Sequence, residues 1–544
     1  MMKKKIALLD CTLRDGAYVN EARFGTSAIK GIIKKLQEAR VDIIEVGWLK
    51  DAAHEEGSTY YHLPQDAAPY MVDRQEGTEY VAMIDWDRYD VDKLPPCDGK
   101  SIDAVRVVFP HGKHREGIKV AERVREKGYR IFLQAANTLA YNEGDLKDLA
   151  ECINDCGPVA VSVVDTFGAM FEEDLERIVR TLDAELAPGI ALGFHSHNNQ
   201  QLSFALTMHF IELLAKSERG AIVDASLCGM GRGAGNATTE LVASYLDRKQ
   251  DGNYDMDAIL DAIDTYMEPI QETYTWGYST PRFIAGMYQC HVNNIAYLQR
   301  NHRTNARDMR NIIASLSQAE RRKYDYDLLE RRYLENQSRL IDDEAAVRAL
   351  RKEFADRTVL LVAPGRSSID KAEIVQAFIA GENPVVIGVN AICGNYVYDY
   401  LFFVNSARYD YAQNAYEAVF AKSKRIVLSS IKTEGDKGEL VVNFNRAIKR
   451  GWPHFDNAVI SALRLLNSIG TKKVAIAGFD GFRHAYNESY ADPSLPTLNP
   501  DNRWDELNIE IASMFEDVRS STKGRMEITF VTESLFDAAG RRPM

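Results

Sequence analysis

Two histidines and a carboxylate in this chain have the types and spacing needed to hold a divalent metal ion. His195 and His197 are separated by one residue, and residues i and i+2 of a strand share a face. Asp15 lies in the segment Asp10-Cys-Thr-Leu-Arg-Asp-Gly16, and its carboxylate could complete a three-residue ligand set. Such a set binds first-row ions and leaves positions open for a substrate. We expect Mn²⁺, with Mg²⁺ or another first-row ion as alternatives.

A glycine-rich segment supplies a further candidate ligand. The sequence Gly229-Met-Gly-Arg-Gly-Ala-Gly-Asn236 follows an apolar stretch, and the amide oxygen of Asn236 could bind the same ion or fix the loop. Glycines at this density also suit an ordinary tight turn that leads into a capped helix. The segment is therefore a candidate ligand because the fold should place it beside Asp15, His195 and His197.

The elements that must position these motifs alternate along the first 230 residues. Short, continuously apolar stretches are separated by amphipathic ones, which predicts parallel strands buried on both faces and helices between them. The eight candidate strands are Ile6–Leu9, Ile43–Gly47, Tyr80–Ile84, Ala104–Phe109, Tyr129–Gln134, Ala160–Val164, Ile190–Phe194 and Ile222–Leu227. Eight such units predict an α/β fold of the TIM (β/α)₈ barrel type, with an open doubly wound sheet as the alternative.

The positions of the polar residues favour the barrel. Active sites of such barrels lie at the carboxyl ends of the strands. Polar side chains at or just past predicted strand ends are Asp15, Glu45, Asp165, His197 and Arg232. Arg106, on the fourth candidate strand, could bind an anionic group.

Three domains are predicted. Residues 1–300 form the barrel, and residues 301–356, which are charged and lack Gly and Pro, form a helical connector or an oligomer-forming arm. Residues 357–544 form a Rossmann-like doubly wound α/β domain. Its turn Ala363-Pro-Gly-Arg-Ser-Ser-Ile-Asp370 could present backbone N–H groups to phosphate but lacks the dinucleotide fingerprint GxGxxG.

This last region resembles pterin-pyrophosphokinase and glycosyltransferase-like proteins. The segments concerned are Ile387-Gly-Val-Asn390, Tyr398-Asp-Tyr400 and Ala477-Gly-Phe-Asp-Gly481. The resemblance implies a nucleotide or nucleotide-sugar ligand. A companion domain for assembly or substrate capture is the alternative.

Composition excludes several classes of protein. The net charge of −13, from 66 Lys and Arg against 79 Asp and Glu, disfavours a nucleic-acid binder. Seven cysteines without a CxxC pair disfavour a secreted disulfide framework and a Cys-only zinc site. No apolar run reaches the roughly 18 residues that indicate a membrane span. We therefore expect a cytoplasmic enzyme without a signal peptide, and we expect a homo-oligomer.

The barrel motifs together resemble the metal-dependent barrels related to hydroxymethylglutaryl-CoA lyase. The resemblance rests on Asp-x-Thr-Leu-Arg-Asp-Gly, on the late His-x-His and on the glycine loop that ends in Gly-Asn, and it covers residues 4–300. The stretches Val164-Asp-Thr-Phe-Gly-Ala-Met170 and Gly193-Phe-His-Ser-His-Asn-Asn199 bring it closer to the 4-hydroxy-2-oxovalerate aldolase branch.

The resemblance implies a carbon–carbon lyase that acts through the enolate of a 2-oxo acid on a divalent metal. Asp15, His195 and His197 would be the metal ligands, and Arg14 would stabilise the enolate oxygen unless it serves only a structural salt bridge. Residues expected to bind the substrate are Glu45, Asp165, Thr166 and Tyr278. An acyl-CoA condensing synthase and a non-catalytic binding or assembly protein are the alternatives.

The chain departs from the aldolase pattern at one position. The aldolases carry a catalytic His two residues after the glycine of Arg-Asp-Gly, where this chain has Tyr18. A phenol, with an ordinary pKa of roughly 10, is a poor base at neutral pH unless a metal or an arginine lowers its pKa. Tyr18 is therefore either a modified proton-transfer residue or a pocket wall. Tyr278, His291 and Glu45 are the alternative bases.

Overall fold

The computed structural model describes residues 5–433, 438–483, 485–497, 499 and 503–537. The chain divides into two compact units, Met1–Val292 and Asn293–Met544. The domain boundaries expected at residues 300 and 356 stay predictions. Within the described residues, no helix is both long enough and apolar enough to cross a membrane.

The first unit contains a closed parallel barrel. Its strands are β1 (Ile6–Asp10), β2 (Ile43–Leu49), β3 (Tyr60–Tyr61), β4 (Glu79–Asp85), β5 (Ala104–Pro110), β6 (Arg130–Ala136), β7 (Ala160–Asp165), β8 (Ala191–Ser196) and β9 (Ala221–Ala225). The order β1-β9-β8-β7-β6-β5-β4-β2 closes because β2 also pairs with β1, whereas the short β3 adds to β2 alone. The predicted barrel is confirmed, and the open-sheet alternative is wrong.

Helices surround the barrel and bury one apolar stripe each. In α3, for example, Ile29, Ile32, Ile33 and Leu36 recur at helical spacing and are buried. The helices of this unit are α1 (Thr12–Asp15), α2 (Ala17–Asn20), α3 (Thr26–Glu38), α4 (Pro64–Ala67), α5 (His114–Glu126), α6 (Glu143–Cys156), α7 (Glu172–Glu185), α8 (Ser203–Ala215), α9 (Thr239–Lys249), α10 (Met256–Ala262), α11 (Glu268–Thr273) and α12 (Thr280–Met287).

The barrel interior changes from apolar to polar along the strands. A buried apolar cluster takes one or two residues from each of the eight strands, including Ile43, Ala104 and Ile222. Two residues further along the same strands, on the same face, stand Glu45, Arg106 and Asp224, which are also buried. The pleat thus brings three charged side chains together inside the barrel, one layer towards its carboxyl end.

The second unit contains a seven-stranded parallel sheet. Its strands are β10 (Thr358–Val362), β11 (Val385–Val389), β12 (Tyr400–Phe403), β13 (Lys424–Leu428), β14 (Glu439–Val442), β15 (Lys473–Ala477) and β16 (Glu527–Phe530). Their order is β14-β13-β12-β11-β10-β15-β16. The expected parallel sheet is present, whereas the Rossmann-like assignment and the nucleotide or nucleotide-sugar ligand stay predictions.

Helices precede the strands of this sheet and alternate with them. They are α13 (Val292–Asn301), α14 (Ala306–Ser315), α15 (Gln318–Arg321), α16 (Tyr326–Gln337), α17 (Glu344–Phe354), α18 (Ser367–Asp370), α19 (Ala372–Glu382), α20 (Ser406–Ala415), α21 (Glu417–Lys422), α22 (Phe444–Ala447), α23 (Ala458–Ile469), α24 (Tyr486–Ser489) and α25 (Trp504–Thr522). Helices α14 to α17 occupy the stretch predicted to be a helical connector.

Candidate active site

The three predicted metal ligands lie together at the carboxyl end of the barrel. One ligand atom from each of Asp15, His195 and His197 lies within 4.8 Å of the others, and all three residues are buried. Asp15 ends α1 directly after β1, and the two histidines end β8 or follow it. An isolated bridge between His197 and Asn236 brings the glycine-rich loop beside them.

Two unpaired polar atoms show that this arrangement fits a cation. Nδ1 of His197 and Oδ1 of Asn236 are buried and have no hydrogen-bond partner, although buried polar atoms almost always have one. Nδ1 of His197 lies 3.8 Å from Oδ2 of Asp15. Burial lowers the pKa of His197 to about 3, so the imidazole is neutral and able to bind a metal.

The Asp15 carboxylate is held in its ionised form. Burial alone would raise its pKa, but the positive charge of Arg14 and the two imidazoles outweigh burial, and the pKa is lowered. Nδ2 of Asn236 donates to its Oδ2 at 2.6 Å. A Cβ at Gly231 would lie 2.5 Å from that oxygen, so only glycine leaves the carboxylate room.

His195 is oriented by a carboxylate that the sequence analysis did not single out. Nδ1 of His195 donates to Oδ2 of Asp224 at 3.0 Å, which leaves Nε2 without the proton. Arg106 and His195 lower the pKa of Asp224 against the opposing effect of burial. The available signal was an acidic residue two positions after Ile222 within a strand that is otherwise apolar.

Asp224 is one end of a chain of alternating charges. Nη2 of Arg106 donates to Asp224 at 2.5 Å, and Nη1 of Arg106 donates to Oε2 of Glu45 at 2.9 Å. Nε of Arg14 donates to the same oxygen at 2.7 Å, and Nη1 of Arg14 donates to Oδ1 of Asp15 at 2.6 Å. Arg106 therefore binds two of the barrel's own carboxylates, and its expected contact with an anionic group stays a prediction.

Tyr18 lies at the mouth, where its ring is 46% exposed. The ring packs edge-on against Trp48 at 6.0 Å, and the Arg232 guanidinium lies 5.3 Å from the ring centre. The hydroxyl end of this side chain is nonetheless shielded from solvent, and the desolvation raises its pKa to about 12, although Arg232 and Arg14 act in the opposite direction. The phenol therefore keeps its proton at neutral pH, and its catalytic role stays a prediction.

Two of the residues expected to bind substrate accept hydrogen bonds from loop backbone. The Asp165 carboxylate accepts from the backbone N–H groups of Ala169 and Met170 at 2.9 and 3.1 Å. Oγ1 of Thr166 accepts from the backbone N–H of Asn137 at 2.7 Å. Burial raises the pKa of Asp165 to about 6. The substrate contacts of both residues stay predictions.

Tyr278 and His291, the two further residues considered as alternative bases, lie on the segments that follow the barrel strands. Tyr278 is 61% exposed, and the neighbouring Trp276 donates to the backbone oxygen of Cys228, at the start of the glycine-rich loop, at 2.9 Å. Nε2 of His291 lies 2.5 Å from Nη2 of Arg232. Burial and this arginine lower the pKa of His291 to about 3.

Comparisons with known proteins agree with the motifs. Residues 111–266 match the HMGL-like family model. The chain is 27% identical to an oxaloacetate decarboxylase of Mycobacterium tuberculosis, over 47% of this chain and 74% of that protein. It is 26% identical to a 4-hydroxy-2-oxovalerate aldolase of Geobacillus genomosp. 3, over 50% and 80%.

Among solved structures, hydroxymethylglutaryl-CoA lyase from Pseudomonas aeruginosa matches with a TM-score of 0.39 and 18% identity, over 49% of this chain and 93% of that chain. The family match falls within the barrel unit. The resemblance inferred from the motifs is thus confirmed: the first unit contains an α/β barrel that is similar to the HMGL-like proteins.

Proposed function

We propose that the first unit is a divalent-metal-dependent carbon–carbon lyase that makes or breaks a bond through the enolate of a 2-oxo acid. The observation that carries the proposal is the buried set of Asp15, His195 and His197, together with the unpaired buried atoms Nδ1 of His197 and Oδ1 of Asn236. An ion held there would act as a Lewis acid on the keto oxygen of the substrate. Relatives named as an aldolase and a decarboxylase support a lyase.

Arg14 would stabilise negative charge that develops on the substrate. Glu45 and Asp15 fix its guanidinium, and the residue is 4% exposed. A charge that is already in place needs no reorganisation during the reaction, which is how preorganised groups lower a barrier. The indole N–H of Trp48 donates to the backbone oxygen of Arg14 at 3.1 Å and helps to fix the turn.

Tyr18 would act as a proton donor or hydrogen-bond donor, since it stays protonated at neutral pH. The aldolase histidine that it replaces can accept a proton under the same conditions. The expected substrate contacts of Asp165, Thr166, Tyr278 and Glu45 belong to the same proposal, as do Mn²⁺ as the metal, a homo-oligomeric state and a cytoplasmic location.

Exchange of the α-protons of 2-oxo acids for deuterium tests the proposal directly. We expect pyruvate or 2-oxobutanoate to exchange in the presence of the protein and Mn²⁺, as followed by proton NMR, and exchange to stop when the metal is chelated. His209→Ala is a matched control, because His209 lies on α8 and pairs with Glu172 and Glu176, which are not among the proposed ligands. Loss of exchange in His195→Ala but not in His209→Ala would support the proposal. Metal-independent exchange in both variants would contradict it.

A further inference from the structure

A crevice in the second unit lies at the point where the direction of strand order reverses. From β10 the chain proceeds through β11 to β14 on one side, and it then returns to β15 on the other side. Ligands of open parallel sheets bind at the carboxyl ends of the strands beside such a switch point. Here Ala363-Pro-Gly365 follows β10 and Gly478-Phe-Asp-Gly481 follows β15, and both segments line a crevice with about 790 Å³ of empty space, which includes its open mouth.

Arg408 lines this crevice and carries a charge that the protein leaves partly unpaired. The residue is 6% exposed, and its Nη1 has no hydrogen-bond partner. Its guanidinium lies 4.7 Å from the ring centre of Tyr490. The nearby carboxylate of Asp492 already accepts hydrogen bonds from the hydroxyls of Tyr411 and Tyr416. A buried guanidinium N–H without an acceptor costs free energy, and an anionic ligand would recover it.

The other charged groups that line the crevice have partners within the protein. Arg303 pairs with Asp456. Asp480 accepts hydrogen bonds from the backbone N–H and the hydroxyl of Ser367. Arg408 is therefore the charged group with which an anionic ligand would pair.

Two helices begin at the same crevice. Asn405 caps α20 by accepting from the backbone N–H of Arg408 at 3.0 Å, and Asn457 caps α23 by accepting from two first-turn N–H groups. Both caps are neutral amides, so neither helix start has its partial positive charge balanced by a capping carboxylate. The first turn of a helix has backbone N–H groups that lack intrahelical acceptors, and such groups at helix starts bind phosphate oxygens.

We propose that this crevice binds the phosphate group of a phosphorylated small molecule, with Arg408 and the first turns of α20 and α23 as its contacts. The remainder of the molecule would lie along the aromatic side of the crevice, which Phe482 and Tyr490 line. The proposal is independent of the reaction assigned to the barrel, because every residue in it belongs to the second unit.

Thermal-shift and calorimetric titrations of the full chain test it. The probes are inorganic phosphate, pyrophosphate, a mononucleotide and a hexose phosphate, with the matching nucleoside and hexose as unphosphorylated controls. We expect at least one phosphorylated probe to bind and the unphosphorylated controls to fail. Binding of inorganic phosphate alone would identify the free ion as the ligand. Binding of a phosphate ester alone would identify a phosphorylated metabolite as the ligand. Absence of binding by all four phosphorylated probes would overturn the proposal.

Variants connect that binding to the named residues. Arg408→Met should weaken binding at least tenfold, and Arg408→Lys should weaken it less, because lysine keeps the charge but not the fork of donors. Without ligand, Arg408→Met should unfold at the same temperature as the wild type or higher, since a partly unpaired buried charge is removed. Arg348→Met, at an exposed arginine of α17 in the same unit, is the matched control.

A second variant keeps Arg408 in place. Ala458→Asp adds a negative charge at the start of α23, where an acidic residue favours the helix but repels phosphate. We expect unchanged folding and binding weakened at least tenfold. Wild-type affinity in both Arg408→Met and Ala458→Asp would overturn the proposal.

Discussion

Asp224 accepts a hydrogen bond from Nδ1 of His195 at 3.0 Å and thereby leaves Nε2 as the ring nitrogen that can bind the proposed metal. The two residues lie on neighbouring strands, β9 and β8, and both point into the barrel. Asp224 also accepts from Arg106, so the same carboxylate connects the histidine with the buried charges of Arg14 and Glu45.

Asp224→Asn should weaken metal binding about 10- to 100-fold, the usual effect of removing a carboxylate that orients a metal-binding histidine. The amide cannot hold the His195 proton as strongly, and it leaves Arg106 short of one negative partner. Calorimetric titration with Mn²⁺ measures the change. Asp183→Asn is the matched control, since Asp183 also pairs with an arginine, Arg219, but away from the mouth. Equal metal affinity in the two variants would show that Asp224 does not act through His195.

His195→Ala and His197→Ala should each lose the bound metal and the exchange activity while the barrel stays folded. The rest of the barrel core does not depend on either imidazole, so circular dichroism should be unchanged. Metal content measured by mass spectrometry checks the first part of the prediction. A double variant that is fully metallated and active would contradict the ligand assignment.

Arg14→Ala should lower turnover by roughly 10²–10³-fold, the effect of removing one preorganised donor to a developing oxyanion. It should also lower stability, by about 3–5 kcal/mol, because the buried Asp15 carboxylate loses its arginine and the buried Glu45 carboxylate keeps only Arg106. Arg14→Lys separates the two effects: it should restore much of the stability but only part of the turnover. Chemical denaturation and the proton-exchange rate are the two measurements. A wild-type exchange rate in a folded Arg14→Ala protein would assign the residue a structural role alone.

Tyr18→Phe should lower turnover about 10²-fold if the hydroxyl moves or donates a proton. Metal content and melting temperature should stay the same, because only one oxygen is removed from a ring that keeps its contact with Trp48. Since the pKa of Tyr18 is raised to about 12, its ionisation should cause no loss of activity between pH 7 and 10. Wild-type kinetics in Tyr18→Phe would identify the ring as a pocket wall.

Tyr18→His restores the aldolase residue at that position. It should retain or gain retro-aldol cleavage of a simple 4-hydroxy-2-oxo acid, because a neutral imidazole accepts protons at neutral pH. Release of pyruvate, coupled to a dehydrogenase assay, provides the measurement. Loss of all activity in a folded, metallated Tyr18→His protein would mean that the mouth no longer accommodates the aldolase base.

His291 should make the protein less stable in mild acid. Its pKa is lowered to about 3 in the folded state, whereas an unfolded histidine has a pKa of roughly 6.5, so the unfolded state binds more protons between these values. Relative to His291→Gln, the wild type should therefore lose up to about 1.4 kcal/mol of stability per pH unit below pH 6. Urea unfolding of both proteins at pH 7, 6 and 5 measures the slope. A pH-independent difference would contradict a buried neutral histidine.

The parts of the site that could be predicted from the sequence are those that depend on residues close together in the chain. His195 and His197 share a strand face whatever the rest of the fold does, and Asp15 lies in a motif that ends a strand. The barrel itself followed from eight apolar stretches separated by helical ones. Each of these inferences needs only local periodicity and the rule that parallel strands end together.

The network behind the ligands could not be predicted in the same way. Glu45, Arg106 and Asp224 come from three strands, and their contacts depend on strand register, stagger and the inward face, which no single segment specifies. The backbone contacts of Asp165 and Thr166 could not be predicted either. The N–H groups that they bind belong to loops, whose conformation has no periodic sequence pattern. A charged residue two positions after an apolar one, within a buried strand, was the signal common to all three network residues.

The hydrogen bond between Asp15 and Asn236 spans 221 residues of sequence. During synthesis Asp15 therefore leaves the ribosome long before His195, His197 and Asn236, and the proposed metal site would be complete only after the last barrel strand has been made. Contacts of such long range form late and slowly in folding. The proposed metal site would therefore accept its ion only in a finished barrel, and an incomplete chain would carry Asp15 without the two histidines and the amide that lie beside it.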